Sequence, residues 1–168
     1  TGTLQVTIND PTVTATSTPT SICIGSSATL TASGATTYTW NPGATSGSSI
    51  TVTPTVTTTY SVTGTNTMGC IGKTTVTLTV FTNPTVTAAA SATTLCSGLS
   101  TTLTSNGAMS YTWIPGSMTG SMVVTSPTTT TTYSVIGVNG VCAADTATIT
   151  INVLQSPQNV TATNSGTI

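Results

Sequence analysis

The chain has 168 residues, of which one is basic, two are acidic and none is histidine. So few charges exclude nucleic-acid and anionic-membrane binding, both of which need a basic footprint. With neither His nor Glu present, no general base is poised near neutrality and nothing activates the many Ser and Thr hydroxyls, so the chain is read as a non-enzyme with no cofactor and no metal.

Residues 1–10 carry Leu4, Val6 and Ile8 in alternation, as Val76, Leu78 and Val80 do later, and read as the end of a preceding repeat. Pro11 opens the phrase Pro-Thr-Val-Thr-Ala-Thr. From there the apolar period is 2, which predicts strands near 12–17, 27–32, 36–41, 49–53, 58–65 and 74–81. Turns fall at Gly25, Gly34, Pro42-Gly43, Pro54 and Met68-Gly69. No segment has a helical period. Pro84 and Pro157 reopen the phrase at the same 73-residue interval, and nearly half the positions of 11–80 recur at 84–153 without a gap. The shared positions include Tyr38 with Tyr111, Trp40 with Trp113, Pro54 with Pro127, Tyr60 with Tyr133 and Asn66 with Asn139. The organisation is therefore read as repeat one at 11–83, repeat two at 84–155 and the start of a following repeat at 156–168. Beginning at Thr1 and stopping at Ile168 in mid-pattern, the chain reads as a window of a longer mature protein. It has no run of 18 apolar residues, hence no expected membrane insertion.

Short strands at this spacing, separated by Gly and Pro turns, predict a small sandwich. A unit of about 73 residues is near the lower limit for an independent core. Tyr38, Trp40 and Tyr60, with Tyr111, Trp113 and Tyr133 in the second copy, are the expected structural core. Tyr38 and Trp40 are two apart on one strand and so share a face. A buried Trp on the third predicted strand and a Tyr near the start of the penultimate strand suit an immunoglobulin-like sandwich. The fold class is all-β: tandem immunoglobulin-like β-sandwich repeats of about 73 residues each.

The set Cys23, Gly25, Leu30, Tyr38, Trp40, Pro42, Gly43, Pro54, Thr57 to Thr59, Tyr60, Asn66 and Cys70 resembles the PKD-like and Ig-like tandem repeats of large type IX-secreted surface proteins of gliding bacteria. The resemblance covers nearly the whole chain. It implies an extracellular location on a bacterial cell surface and a role as stalk or filament repeats of an adhesin, in surface attachment or gliding motility. Implied partners are neighbouring repeats of the same long chain, surface polysaccharide, or other copies in a fibre. Asp145-Thr146-Ala147 matches the short O-glycosylation signal of such bacteria, which makes Thr146 a candidate acceptor. The sequon at Asn159 is discounted in a bacterial setting.

Cys23, Cys70, Cys96 and Cys142 give one pair per repeat and are read as disulfide cysteines in an oxidising compartment. Cys142 lies one position earlier than the 73-residue interval predicts from Cys70. Pairing within each repeat, Cys23 with Cys70 and Cys96 with Cys142, is expected; the competing arrangement is Cys70 with Cys96. A metal site lacks His and any Cys-x-x-Cys. Lys73 lacks the acid an isopeptide cross-link needs, and one Asp10 is too little for calcium. The alternative function is a carbohydrate-binding or accessory module of a secreted enzyme, which would need the Trp and Tyr side chains exposed as a strip. Ice binding through Thr-x-Thr runs is a weaker reading, since such ladders use a short regular coil.

Overall fold

The computed structural model describes residues 9–155, all strand, turn and loop with no helix among them. The expected partial repeats at 1–10 and 156–168 thus fall almost wholly outside the described residues, as does the sequon at Asn159. Two compact units are present. Among the described residues, the first comprises 9–83 together with Gly140–Cys142, and the second Pro84–Asn139 together with 143–155.

In the first unit, β1 (Thr14–Thr18), β3 (Ala28–Ser33) and β6 (Ser49–Val52) form a three-stranded antiparallel sheet in the order β1-β3-β6. The facing sheet has the order β2-β8-β7-β4-β5, from β2 (Ser21–Cys23), β8 (Ile71–Phe81), β7 (Thr58–Thr65), β4 (Thr37–Asn41) and β5 (Thr45–Ser46). Strand β2 is the exception to the antiparallel rule: it runs parallel to the end of β8, with Cys23 opposite Phe81. Sequence periodicity misses β2 and β5 because two or three residues are too few to show a period.

Thr-x-Thr alternation builds both faces of these strands. In β3, Ala28, Leu30 and Ala32 point inward while Thr29, Thr31 and Ser33 face solvent. Trp40, Leu30, Leu78 and Val62 are fully buried, and Tyr38, Tyr60, Ile22 and Ile50 complete the core. The Trp40 indole N–H donates to the Gly47 carbonyl at 3.0 Å, so burial leaves no donor unpaired. Outside, hydroxyls bond across strands in place of charges: the Thr59 and Thr77 side chains meet at 2.9 Å. Gly34 ends β3 at φ +95°, and a Cβ there would collide with the Thr12 carbonyl oxygen; only glycine fits that turn.

The second unit has the same plan. Strands β9 (Thr87–Ala90), β11 (Thr101–Asn106) and β14 (Met122–Thr125) form one sheet. The other has the order β10-β16-β15-β12-β13, from β10 (Thr94–Cys96), β16 (Asp145–Leu154), β15 (Thr131–Val138), β12 (Ser110–Ile114) and β13 (Met118–Thr119), again with β10 parallel to β16. Trp113 is fully buried beside Leu103, Val135 and Ile151, with Tyr111 and Tyr133 in the same core. Its indole N–H donates to Gly120 O at 3.2 Å. Each unit is an immunoglobulin-like sandwich.

Two buried hydroxyls, on Ser17 and Ser105, have no hydrogen-bond partner. The other copy carries alanine at each equivalent place: Ala90 for Ser17 and Ala32 for Ser105. An unpaired buried hydroxyl costs about 1–3 kcal/mol. Ser17→Ala and Ser105→Ala are therefore expected to raise stability by about 1 kcal/mol each. Urea denaturation of the two variants checks this, and a loss of stability would contradict it.

Candidate functional site

The feature with the most chemistry is the cysteine set. Sequence reading expects Cys23–Cys70 and Cys96–Cys142, and the structure corrects both pairings. Cys23 is bonded to Cys142, with Cα atoms 5.4 Å apart and a sequence separation of 119. Cys70 and Cys96 are free thiols. The reason is the length of β8. Cys23 sits opposite Phe81 at one end of that strand, whereas Cys70 precedes Ile71 at the other. Eleven strand residues at ~3.3 Å each separate the two ends by roughly 33 Å, far beyond the ~7 Å limit between disulfide Cα atoms. The second repeat repeats the argument, with Cys96 opposite Leu154 at the end of β16 and Cys142 before its start. The signal was present in the Cys-x-Gly turn following Pro19, but only the parallel placement of β2 shows which end of the sheet it occupies.

The segment Gly140–Cys142 belongs to the second repeat by sequence and to the first unit by structure. Gly140 adopts φ +53° with the Phe81 ring against its Cα, so that a side chain there would strike the ring. Val141 lines a small hollow with Pro19, Ile22, Cys23 and Ser26. Cys142 itself is 6% exposed.

Each unit also has a shallow groove along the short edge strand. In the second unit it measures about 690 Å³ and is lined by Tyr111, Thr112, Thr119, Gly120 and Ser121, among others. In the first unit the equivalent groove measures about 370 Å³, between Thr37–Thr39 and Ser46–Ser48. Hydroxyls and backbone groups line both together with apolar surface, which Ala108 and Met109 supply in the second unit. Such grooves can offer hydrogen bonds but no acid, base or nucleophile with a partner. Among the described residues no cluster of three metal-ligating side chains occurs, and no helix is long and apolar enough to cross a membrane.

All six aromatic residues singled out in the sequence lie in the interior, none more than 9% exposed. The strip of Trp and Tyr that a sugar-stacking module needs is therefore not at the surface. The Tyr38 hydroxyl donates to Ala35 O and accepts from Ala35 N, both at 2.7 Å, and Tyr111 does the same at Ala108. The Tyr133 hydroxyl bonds the Thr125 hydroxyl at 2.6 Å. Val52 stands at the position equivalent to Thr125, and burial pushes the Tyr60 phenol above its usual range.

Thr146 is exposed on β16, where it pairs with Ile136. Its neighbour Asp145 uses its carboxylate locally, accepting from Val86 N at 2.7 Å. Asp10 and Lys73 are both exposed; Lys73 lies opposite Thr63 on β7.

The titratable groups give a pH prediction. Without histidine, few side chains change charge between pH 5 and 8, so the melting temperature is expected to stay level there within a few degrees. At the alkaline end the sign is fixed by Tyr60. Its folded pKa lies above the unfolded value of 10.0, so the stability it contributes is full below about pH 10 and is lost as pH rises through the folded value. Thermal melts at pH 5, 8 and above 10 check both arms; a shift of more than a few degrees between pH 5 and 8 would contradict the first.

No protein-family model matches the chain, and no curated protein matches it in sequence. Solved structures do match. Murine CEACAM1b superposes with a TM-score of 0.60 at 15% identity, covering 84% of this chain and all of that one. A chain in the complex of a mouse coronavirus receptor-binding domain with its murine receptor gives a TM-score of 0.63 at 14% identity, with the same coverage. At such identity the likeness is one of fold: an all-β, immunoglobulin-like sandwich.

Proposed function

We propose that this chain is a load-bearing section of a bacterial cell-surface adhesin, made of PKD-like/Ig-like tandem repeats of the type IX-secreted kind and serving surface attachment or gliding. The observation that carries the reading is the Cys23–Cys142 bond, which joins cysteines at a sequence separation of 119. Tension applied at the chain ends passes through that bond and bypasses most of both repeats. A disulfide also fits an oxidising, extracellular setting. The repeated sandwich supplies length, since stability in such arrays is a sum of repeats and their neighbour contacts. A surface of Thr and Ser hydroxyls, with Thr146 as candidate glycan acceptor, supplies solubility with almost no charge. In this reading the partners are neighbouring repeats, with surface polysaccharide or other copies in a fibre contacted elsewhere on the protein.

The test is location and attachment in the source cells. Antibody raised to residues 9–155 is expected to label intact cells without permeabilisation. Deleting the repeats in frame is expected to reduce attachment to a surface while leaving growth unchanged. Labelling that requires permeabilisation would overturn the reading.

A further inference from the structure

The two free cysteines occupy the same places as the two bonded ones. Cys96 corresponds to Cys23. Each ends a three-residue strand that runs parallel to the last strand of its unit, opposite Phe81 in one case and Leu154 in the other. Each is followed by the same turn, with Ser26 N donating to Cys23 O at 3.0 Å and Leu99 N to Cys96 O at 3.1 Å. Cys70 corresponds to Cys142: both lie in the hairpin loop before the last strand, four and three residues after Asn66 and Asn139. The Asn66 side chain fixes that loop by accepting from Met68 N at 3.0 Å and Cys70 N at 2.9 Å.

The surroundings of the free thiols supply a second, independent observation. Beside Cys96 the apolar side chains Leu99 and Leu154 are each 57% exposed. Beside Cys70, Met68 is 68% and Ile71 53% exposed. In the bonded pair the counterpart of Leu154 is Phe81, on whose ring Gly140 sits, and the counterpart of Met68 is Val141, which lines the hollow by Cys23. Each free thiol thus lies beside an exposed apolar side chain, Leu154 for Cys96 and Met68 for Cys70, whose counterpart, Phe81 or Val141, stands beside the formed disulfide, Val141 itself being 59% exposed.

We propose that Cys96 and Cys70 are the two open halves of the same bond, and that each takes its partner from a further copy of this repeat: Cys96 the loop cysteine, Cys70 the cysteine that ends the short parallel strand. The proposal rests on the tandem-repeat part of the function above and not on adhesion. A second copy of this chain carries both partners, so the bond predicted between copies is Cys96 of one to Cys70 of the other. Its formation needs a disulfide oxidant. The Cys96 thiolate, on the more exposed of the two residues, attacks glutathione disulfide and releases one glutathione thiolate. The Cys70 thiolate of the second copy then attacks the Cys96 sulfur and releases the other. Two protein thiols are oxidised, one glutathione disulfide is reduced, and the two thiol protons end on glutathione.

The test uses the 168-residue chain carrying Cys70→Ser or Cys96→Ser, each with one remaining thiol. Folding is verified by that single thiol count with the Cys23–Cys142 bond intact. At roughly millimolar protein, matching the effective concentration a short linker supplies, glutathione disulfide is added to each variant alone and to their mixture. The mixture is expected to give covalent dimers at least tenfold above either variant alone, and peptide mapping is expected to recover the Cys70–Cys96 link. The unsubstituted chain is expected to give a ladder of longer species. Equal dimer yields in all three samples would show random thiol collision and overturn the proposal, as would no dimer in the mixture. Should serine at Cys70 disturb the loop, Cys70→Ala and Cys96→Ala repeat the comparison. Surface labelling reports separately on the adhesive role, so either can fail without the other.

Discussion

Replacing Trp40 with alanine is expected to remove about 3–5 kcal/mol from the first unit, the usual range for emptying a buried aromatic site. Trp40 is fully buried among Leu30, Val62 and Leu78, and its loss also strips the Gly47 carbonyl of its donor. A domain of this size has a total stability of roughly 4–11 kcal/mol at 0.05–0.15 kcal/mol per residue. The substitution thus leaves the first unit marginal or unfolded. Trp113→Ala is expected to act equally on the second unit, where the same contacts recur around Leu103, Val135 and Ile151. Denaturant titration followed by far-ultraviolet circular dichroism reads the loss in the substituted unit, and the remaining tryptophan, followed in the near ultraviolet, reports the untouched unit. A loss below about 1 kcal/mol would show that the indole is not central to the core.

Breaking the disulfide is the second large effect. Closing a loop across a sequence separation of 119 stabilises the folded state by up to about 5 kcal/mol in the chain-entropy account, when the whole loop unfolds. Cys23→Ser and Cys142→Ser are each expected to lower the denaturation midpoint by the same large amount, and the double variant by no more than either single one, since both remove one bond. Cys70→Ser is expected to leave the midpoint of the 168-residue chain nearly unchanged. Equal losses from Cys70→Ser and Cys23→Ser would contradict the pairing.

The strand-and-core part of the fold was legible because it is written in long alternating segments. Leu30, Tyr38, Trp40 and Tyr60 each sit in a strand of five residues or more, where period 2 shows which face is buried. Strands β2 and β5 were not legible, being too short to carry a period. The cysteine pairing failed for the same reason. Two cysteines per repeat suggest a pair, but the pairing depends on which end of β8 the short strand β2 joins. That choice is made by tertiary packing of Ile22 and not by any local preference of Ser21–Cys23. The aromatic residues were placed by their recurrence inside strands, whereas the hydroxyl-lined grooves left no mark in a chain where Thr and Ser occur everywhere.

Stretching single oxidised molecules from their two ends shows whether the Cys23–Cys142 bond carries tension. With the Cys23–Cys142 bond intact, only the residues outside the loop can extend. These number about 50, which at ~3.5 Å each allows an end-to-end length of roughly 170 Å after every fold has yielded. After reduction the full chain of 168 residues is expected to reach roughly 590 Å at the same ~3.5 Å per residue. The same long extension from oxidised and reduced molecules would mean that the bond does not carry the load and would contradict the proposed role.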